Sequence, residues 1–183
     1  GLSGWEVAAC WKPAHEVSGD YYDFIPVGGG RLALVVADVS DKGMPAAMFM
    51  ALSRSVIRSV AGLSDDPAEV IRKANELIHR DAAEGMFITL FYAVFEADSG
   101  KLHYVNAGHN PPFIVRKGTR TIEKLTRTGM AAGVESDTPY QSASVNLEEG
   151  DFVMIYTDGV TDSRKGNAEF GEERLEEALI ENA

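Results

Sequence analysis

Cysteine is almost absent from this chain of 183 residues, in which Cys10 is the single example. One cysteine excludes an intrachain disulfide and a cysteine-based zinc site, and it favours a reducing compartment. The spacing of the four histidines does not suggest a shared metal site. We therefore expect a cytoplasmic protein in which neither sulfur nor clustered imidazole binds a metal ion.

Long apolar runs and clusters of positive charge are also missing. No apolar stretch approaches the ~18 residues that a membrane span requires, and the start of the chain lacks the basic and then apolar regions of a signal peptide. The formal net charge is -11, and no run of lysine or arginine is long enough to follow nucleic acid phosphates. We expect neither a membrane nor a nucleic acid as a partner.

Hydrophobic residues make up 45% of the chain, which is enough to build the core of a single domain over residues 1–183. The predicted strands are Trp5–Trp11, Tyr21–Val27, Arg31–Val39, Phe87–Ala97, Leu102–Asn106, Phe113–Arg116, Thr121–Leu125, Tyr140–Leu147 and Phe152–Tyr156. The predicted helices begin at Pro45, at Pro67 with Asp66 as N-cap, and at about Glu172. This order predicts an α+β sandwich of two antiparallel sheets packed face to face with helices outside.

Three aspartates lie where predicted strands begin or end: Asp20, Asp38 and Asp158. A single aspartate in such a place is commonly a turn residue or a helix cap, so the prediction depends on all three together. Carboxylates that converge repel one another unless a cation lies among them, and a ligand set made of oxygen alone favours Mg²⁺ or Mn²⁺ over zinc. Two such ions can share a hydroxide and neutralise a phosphoryl oxygen, which points to phosphoester hydrolysis.

Four other residues are weaker candidates. Asp23 lies on the opposite strand face from Asp20, and Asp41 lies in a turn before a helix. His109 precedes a Pro-Pro turn, where tying the backbone together is the simpler interpretation, and we assign it no catalytic role. Lys12 is a candidate contact for a substrate phosphate, although a solvated lysine is the simpler interpretation.

Four segments carry a family resemblance, and they occur in the family's order. They are Glu16–Asp23, Asp38–Ala47, Tyr104–Pro112 and Tyr156–Asp162. The chain resembles the SpoIIE/RsbU branch of the PPM, or protein phosphatase 2C-like, serine/threonine phosphatases, from Trp5 to Leu175. The resemblance implies an αββα sandwich with two Mn²⁺ or Mg²⁺ ions at one edge.

The resemblance also implies roles for individual residues. Asp38 would bridge both ions, with Asp20 and the carbonyl of Val39 on one ion and Asp158 on the other. A hydroxide between the ions would attack phosphoserine or phosphothreonine without a phosphoenzyme intermediate. Asp162 follows Asp158 by four residues, so in a helical turn both lie on one face and Asp162 can serve as a substitute ligand.

Members of this branch act on phosphorylated STAS-domain proteins that antagonise anti-sigma factors, commonly under the control of an upstream sensory domain. Because the resemblance begins at Trp5, we expect the sensor outside this sequence.

The family normally continues beyond the last helix to a segment with a metal-ligating Asp-Asp pair, so we expect an incomplete site that binds the Asp158 ion weakly. Asp41 stands where the branch often has glycine.

The alternative functions are a catalytically weak module that binds an anti-sigma or STAS partner, and a hydrolase of small phosphomonoesters.

Overall fold

A computed structural model describes residue 2 and residues 4–12, 18–83, 85–166 and 168–182, without the side chain of Lys165. Its contacts separate two compact units. The larger unit consists of Gly1–His109 and Arg127–Leu147, and the smaller unit consists of Asn110–Thr126 and Glu148–Ala183. Because the chain passes between the units more than once, neither is a continuous segment, and a single domain over residues 1–183 stays a prediction.

The helices and strands alternate in the order typical of an α+β protein. In chain order they are β1 Tyr21–Gly28, β2 Arg31–Val39, α1 Met44–Val60, α2 Pro67–Asp81, β3 Ile88–Glu96, β4 Lys101–Ala107, β5 Phe113–Arg116, β6 Thr121–Lys124, β7 Ala143–Asn146, β8 Phe152–Met154, α3 Asp158–Thr161, β9 Arg164–Lys165, β10 Ala168–Glu169 and α4 Gly171–Glu181. The α+β class with two main antiparallel sheets and helices is confirmed.

The larger unit contains a five-stranded sheet in the order β1-β2-β3-β4-β7, and every neighbouring pair is antiparallel. Alternate residues of β2, such as Ala33, Val35 and Ala37, are fully buried in a core with residues of α1 and α2. The residues between them point to the opposite face, as the pleat of a strand requires. The sheet therefore has one face that packs on the two helices and a second face that includes Asp38.

Both helices of the larger unit begin as their sequences predict, within one residue. The α2 helix has Asp66 as its N-cap, whose carboxylate accepts a hydrogen bond of 3.0 Å from the backbone N–H of Ala68. This bond satisfies a backbone donor that the first helical turn leaves open. The α1 helix begins at Met44 directly after Gly43, whose φ of 75° is a conformation that glycine adopts without strain.

The smaller unit contains the three-stranded sheet β6-β5-β8 and the helix α4. Phe113 of β5 stacks on Tyr156 with ring centroids 5.2 Å apart, and Leu175 of α4 joins them in a small core. Lys124 at the end of β6 pairs with Glu172 and Glu176 of α4 at 2.5 and 2.7 Å. Helix and sheet are therefore held together by both apolar and ionic contacts.

The predicted strand at Trp5–Trp11 is wrong, because the structure shows no strand over these residues. Trp5 is instead fixed by its ring, which packs edge-on against Phe95 at 4.8 Å and donates its indole N–H to the carbonyl of Ala97. A strand requires a partner strand, which an alternating sequence alone does not provide. The strand predicted over Tyr140–Leu147 is also shorter in the structure, at Ala143–Asn146. Among the described residues, no helix combines the length and apolar character needed to cross a membrane.

Candidate metal centre

The β1-β2 pairing brings Asp20 and Asp38 opposite each other. Tyr21 pairs with Ala37, so one further step in the same antiparallel register places Asp20 across from Asp38. Residues directly opposite in such a pair project from the same face of the sheet. Both aspartates are half-buried. The structure therefore brings together two of the three aspartates predicted from the sequence, on the face that lies away from α1 and α2.

The backbone of Gly19 lies against the carbonyl of Val39. A side-chain carbon built onto Gly19 would be 3.1 Å from the Val39 carbonyl oxygen and 3.3 Å from its Cβ. This spacing is too tight for most residues, so glycine allows the start of β1 to approach the end of β2. The Val39 carbonyl, which the family resemblance assigns to the same ion as Asp20, thus lies beside the residue that precedes Asp20.

On its other side, Asp38 pairs with Thr89 of β3. The Thr89 hydroxyl makes a long contact of 3.5 Å with the Asp38 carbonyl oxygen and a hydrogen bond of 3.0 Å with Nδ1 of His109. His109 is fully buried, and its backbone N–H donates to the side-chain oxygen of Asn106 at 2.9 Å. His109 is thus a buried residue that contacts the strand neighbour of Asp38.

Sequence reasoning missed Thr89. A threonine inside a predicted strand is ordinary, and its contacts with Asp38 and His109 join residues far apart in the chain. The available signal was the Asn106–His109 segment, whose asparagine and glycine indicate a tight turn. His109 was predicted to tie the backbone together beside the Pro-Pro turn, and the structure shows its imidazole in contact with the Thr89 hydroxyl.

Asp158 and Asp162 belong to the smaller unit. Buried Tyr156 ends the strand region, and the one-turn helix α3 begins at Asp158. The backbone N–H of Asp162 donates to the Asp158 carbonyl at 2.7 Å, so the turn is helical, as their joint use as ligands requires. Both side chains are exposed. Their spacing places them on one side of this turn.

Asp23 is engaged elsewhere, in ion pairs with two arginines of α1. Arg58 donates from Nε and Nη2 at 2.5 and 2.8 Å, and Arg54 donates from Nε at 3.1 Å. The hydrogen bond from Arg58 is the main cause that holds the pKa of Asp23 below its usual range, against the opposing effect of burial. Asp23 therefore lies on the helix-facing side of the sheet, opposite to Asp20, as predicted.

The remaining candidates lie at the surface. Asp41 is exposed and has a φ of 77°, and its carboxylate accepts a 2.8 Å hydrogen bond from the backbone N–H of Lys42. Lys12 is exposed and lies outside any strand or helix.

The donor chemistry fits a hard divalent cation. Two carboxylates and a backbone carbonyl at one end of the β1-β2 pair are oxygen ligands of the kind that Mg²⁺ and Mn²⁺ prefer. In the part of the chain that the structure describes, no group of three or more His, Cys, Asp or Glu side chains is close enough together to hold a metal ion. The complete ligand set, with Asp158 and Asp162 included, therefore stays a prediction.

Comparison with known proteins shows the family to which the chain belongs. The family model of stage II sporulation protein E (SpoIIE) matches residues 28–183. Protein IcfG of Synechocystis sp. is 36% identical over 99% of this chain and 33% of its own length, and the phosphoserine phosphatase RsbU of Bacillus subtilis is 32% identical over 88% of this chain and 48% of its own length. The chain thus spans about a third to a half of these relatives.

Among solved structures, the SiaA-PP2C domain of Pseudomonas aeruginosa matches 95% of this chain and 70% of its own with a TM-score of 0.81 at 22% identity, a likeness that shows the fold alone. The family model and the relatives agree with the family resemblance that the sequence motifs carry. The chain therefore belongs to the SpoIIE family, in the SpoIIE/RsbU branch of the PPM-type serine/threonine phosphatases.

Proposed function

We propose that this chain is the catalytic part of a metal-dependent phosphoserine and phosphothreonine protein phosphatase. The observation that carries the proposal is the placement of Asp38 near the end of β2, with Asp20 across from it and the Val39 carbonyl beside Gly19. This arrangement occurs in a chain that is 32% identical to a protein named as a phosphoserine phosphatase. Oxygen ligands that strands hold rigidly are well suited to hard-cation chemistry.

The proposed cofactors are two divalent cations, Mn²⁺ or Mg²⁺. Asp20, Asp38 and the Val39 carbonyl would hold one ion, and Asp38 and Asp158, with Asp162, would hold the other. When bound, such ions supply an activated water and neutralise charge on the phosphoryl group. Asp38 is the residue shared by both ions, so it contributes most to the arrangement.

The protein residues then bind the ions and fix the orientation of the ligand side chains. The strands β1 and β2 hold Asp20 and Asp38 on one face at one end of the sheet, which limits the directions in which their carboxylates point. No serine, cysteine or histidine nucleophile is needed. His109, the one histidine in the motifs that is near Asp38, is fully buried against Thr89, a position that suits support better than attack on a substrate.

The proposed substrate is a phosphorylated STAS-domain protein, and an upstream sensory domain would control the activity. This part of the proposal follows from the family branch, in which RsbU and RsbP of Bacillus subtilis are both named phosphoserine phosphatases. The net charge of -11 favours a protein substrate whose docking surface carries positive charge.

Phosphate release from a phosphorylated STAS protein, measured with Mn²⁺ and with chelator, tests the proposal. Asp38→Asn should lower kcat by on the order of 100-fold or more, because it removes an anionic ligand shared by both ions. Asp98→Asn, which removes one exposed charge from the turn between β3 and β4, is the matched control and should retain full activity.

Three results would contradict the proposal. Binding of the STAS protein without phosphate release would favour a binding module. A higher kcat/KM on free phosphoserine than on the phosphoprotein would favour a hydrolase of small phosphomonoesters. A trapped covalent phosphoenzyme would exclude direct attack by water.

A further inference from the structure

We propose that Thr89 and His109 are positioning residues that hold Asp38 in place for metal binding. The inference rests on the proposed function, in which Asp38 is the shared ligand. It assigns a task to a polar cluster, formed by Thr89, His109, Asn106 and Thr128, that lies entirely within the larger unit. These residues are not metal ligands themselves. They act through the backbone and the hydroxyl of Thr89, which lie next to Asp38.

The pairing of β2 with β3 makes Thr89 the direct neighbour of Asp38. In this register the two side chains share one face, so their Cβ atoms are about 5 Å apart. Asp38 is therefore flanked by Asp20 on one strand and by Thr89 on the other. A shift of Thr89 would therefore change the immediate surroundings of the Asp38 carboxylate.

The loop after β4 is shaped to deliver an imidazole to Thr89. Gly108 has a φ of 74°, and a side-chain carbon there would be 3.0 Å from the backbone nitrogen of Ala131. Only glycine combines this conformation with so close a contact. The Asn106 side chain accepts the backbone N–H of His109, and the backbone of Asn106 is bonded in turn to Thr128. The turn thus fixes the direction in which the imidazole points.

Burial of this polar cluster depends on the hydrogen bonds that its members make. Asn106 and His109 are fully buried, and polar side chains out of water cost about 1 to 3 kcal/mol each unless hydrogen bonds compensate. Apolar residues of similar volume would fill the same space at less risk to stability. The need to orient Thr89 beside Asp38 explains why polar side chains, and not apolar ones, form this cluster.

The proposal requires one tautomer of the imidazole. The Thr89 hydroxyl has one proton, so it donates either toward the Asp38 carbonyl oxygen at 3.5 Å or to Nδ1 of His109 at 3.0 Å. Thr89 acts on Asp38 when it donates to the carbonyl; its oxygen then accepts from His109, and Nδ1 carries a proton. ¹⁵N NMR of the labelled protein detects this Nδ1–H tautomer directly.

Two matched pairs of variants test the proposal in the intact chain. Thr89→Val removes the hydroxyl at constant shape, whereas Thr89→Ser keeps it. His109→Asn keeps an amide donor near the place of Nδ1, whereas His109→Gln moves the donor toward the place of Nε2. Titration of Mn²⁺ by calorimetry without substrate should show roughly tenfold weaker binding for Thr89→Val and His109→Gln, in the range typical of residues that support metal ligands. Thr89→Ser and His109→Asn should stay within about threefold of the parent chain.

His79→Ala is the control for stability alone, because Nδ1 of His79 likewise makes one hydrogen bond within the larger unit, to the backbone oxygen of Gly133 at 2.9 Å. It should lower the unfolding temperature and leave Mn²⁺ affinity unchanged. The proposal is overturned if folded Thr89→Val binds Mn²⁺ as tightly as the parent, or if His109 shows the Nε2–H tautomer. Failure of His109→Gln to fold leaves the decision to Thr89→Val, which preserves side-chain shape. Loss of phosphatase activity on every substrate with intact, Asp38-dependent Mn²⁺ binding would refute the proposed function and leave this inference standing.

Discussion

Asp41 has a backbone conformation that residues with side chains rarely adopt. Its φ of 77° lies in the left-handed region, where a Cβ clashes with the following carbonyl at a cost of roughly 1 to 2 kcal/mol, less for aspartate and asparagine. The carboxylate offsets part of that cost by accepting the backbone N–H of Lys42. Glycine, which the family resemblance implies at this position, would adopt the same φ without this cost.

Two substitutions at Asp41 separate conformation from charge. Asp41→Gly and Asp41→Ala both remove one negative charge, but only alanine keeps the clash and lacks the compensating hydrogen bond. We expect Asp41→Ala to be less stable than Asp41→Gly by about 1 kcal/mol in urea unfolding. Mn²⁺ affinity should change by the same factor in both, since both lose the same charge. Equal stabilities would show that this φ carries no strain.

At the scale of elements, Asp23 ties β1 to α1. Its carboxylate is buried, with 6% of the side chain exposed, while the side chains of Arg54 and Arg58 are each about half exposed. Arg58 binds both carboxylate oxygens, which is the stronger geometry for an arginine and a carboxylate. The contact joins the strand that begins after Asp20 to the first helix.

We expect Asp23→Asn to lower the free energy of unfolding at pH 7 by about 1 to 2 kcal/mol, a figure reduced for the solvent exposure of both arginines. The pKa of Asp23 is depressed in the folded protein, chiefly by the hydrogen bond from Arg58. Its contribution is therefore complete above the ordinary carboxyl pKa of about 4 and is lost as pH falls through the lower folded pKa. The difference between parent and variant should shrink below about pH 4 in urea unfolding at several pH values.

Asp65→Asn is the matched control for this prediction. Asp65 pairs with Arg31 at 2.7 Å, but its side chain is 84% exposed, so its loss should change stability by less than about 0.5 kcal/mol. Arg58→Met should cost more than Arg54→Met, because Arg58 makes the two-point contact. A pH-independent difference between the parent and Asp23→Asn would contradict the assignment of the ion pair.

At the scale of the whole molecule, negative charge and metal binding are linked. Since Asp+Glu number 28 against 17 Lys+Arg, a bound divalent cation relieves repulsion in the folded chain. A ligand that binds only the folded state stabilises it by about 2.7 kcal/mol at a hundred times its Kd. Mn²⁺ should therefore raise the unfolding temperature, and chelator should reverse the rise.

Thermal unfolding with and without Mn²⁺, at low and at high salt, measures this link. Most of the rise should disappear in Asp38→Asn, and higher ionic strength should weaken the apparent affinity because salt screens the net charge. Asp98→Asn serves again as the control for loss of one distant charge. An equal rise in the parent and in Asp38→Asn would mean that Mn²⁺ binds elsewhere on the acidic surface.

Local patterns in the sequence determined the strands β1 and β2, the helices α1 and α2, and the N-cap at Asp66. These elements depend on side-chain periodicity and on residues next to one another in the chain, which a sequence displays directly. The motifs also identified the family and the three aspartates. The strand at Trp5–Trp11 failed because pairing depends on a partner elsewhere in the chain.

Only the tertiary structure decided which polar residues meet. Thr89 and His109 are separated by 20 positions and Asp23 and Arg58 by 35, and nothing in the local sequence marks either contact. The strand register is likewise not visible in the local sequence. The pairing of Tyr21 with Ala37 brings Asp20 across from Asp38, and a slip of one residue would put the two carboxylates on different faces. Residue types and their order thus defined the family and the chemistry available, whereas strand pairing and burial decided which side chains support Asp38, because those contacts depend on distance in space.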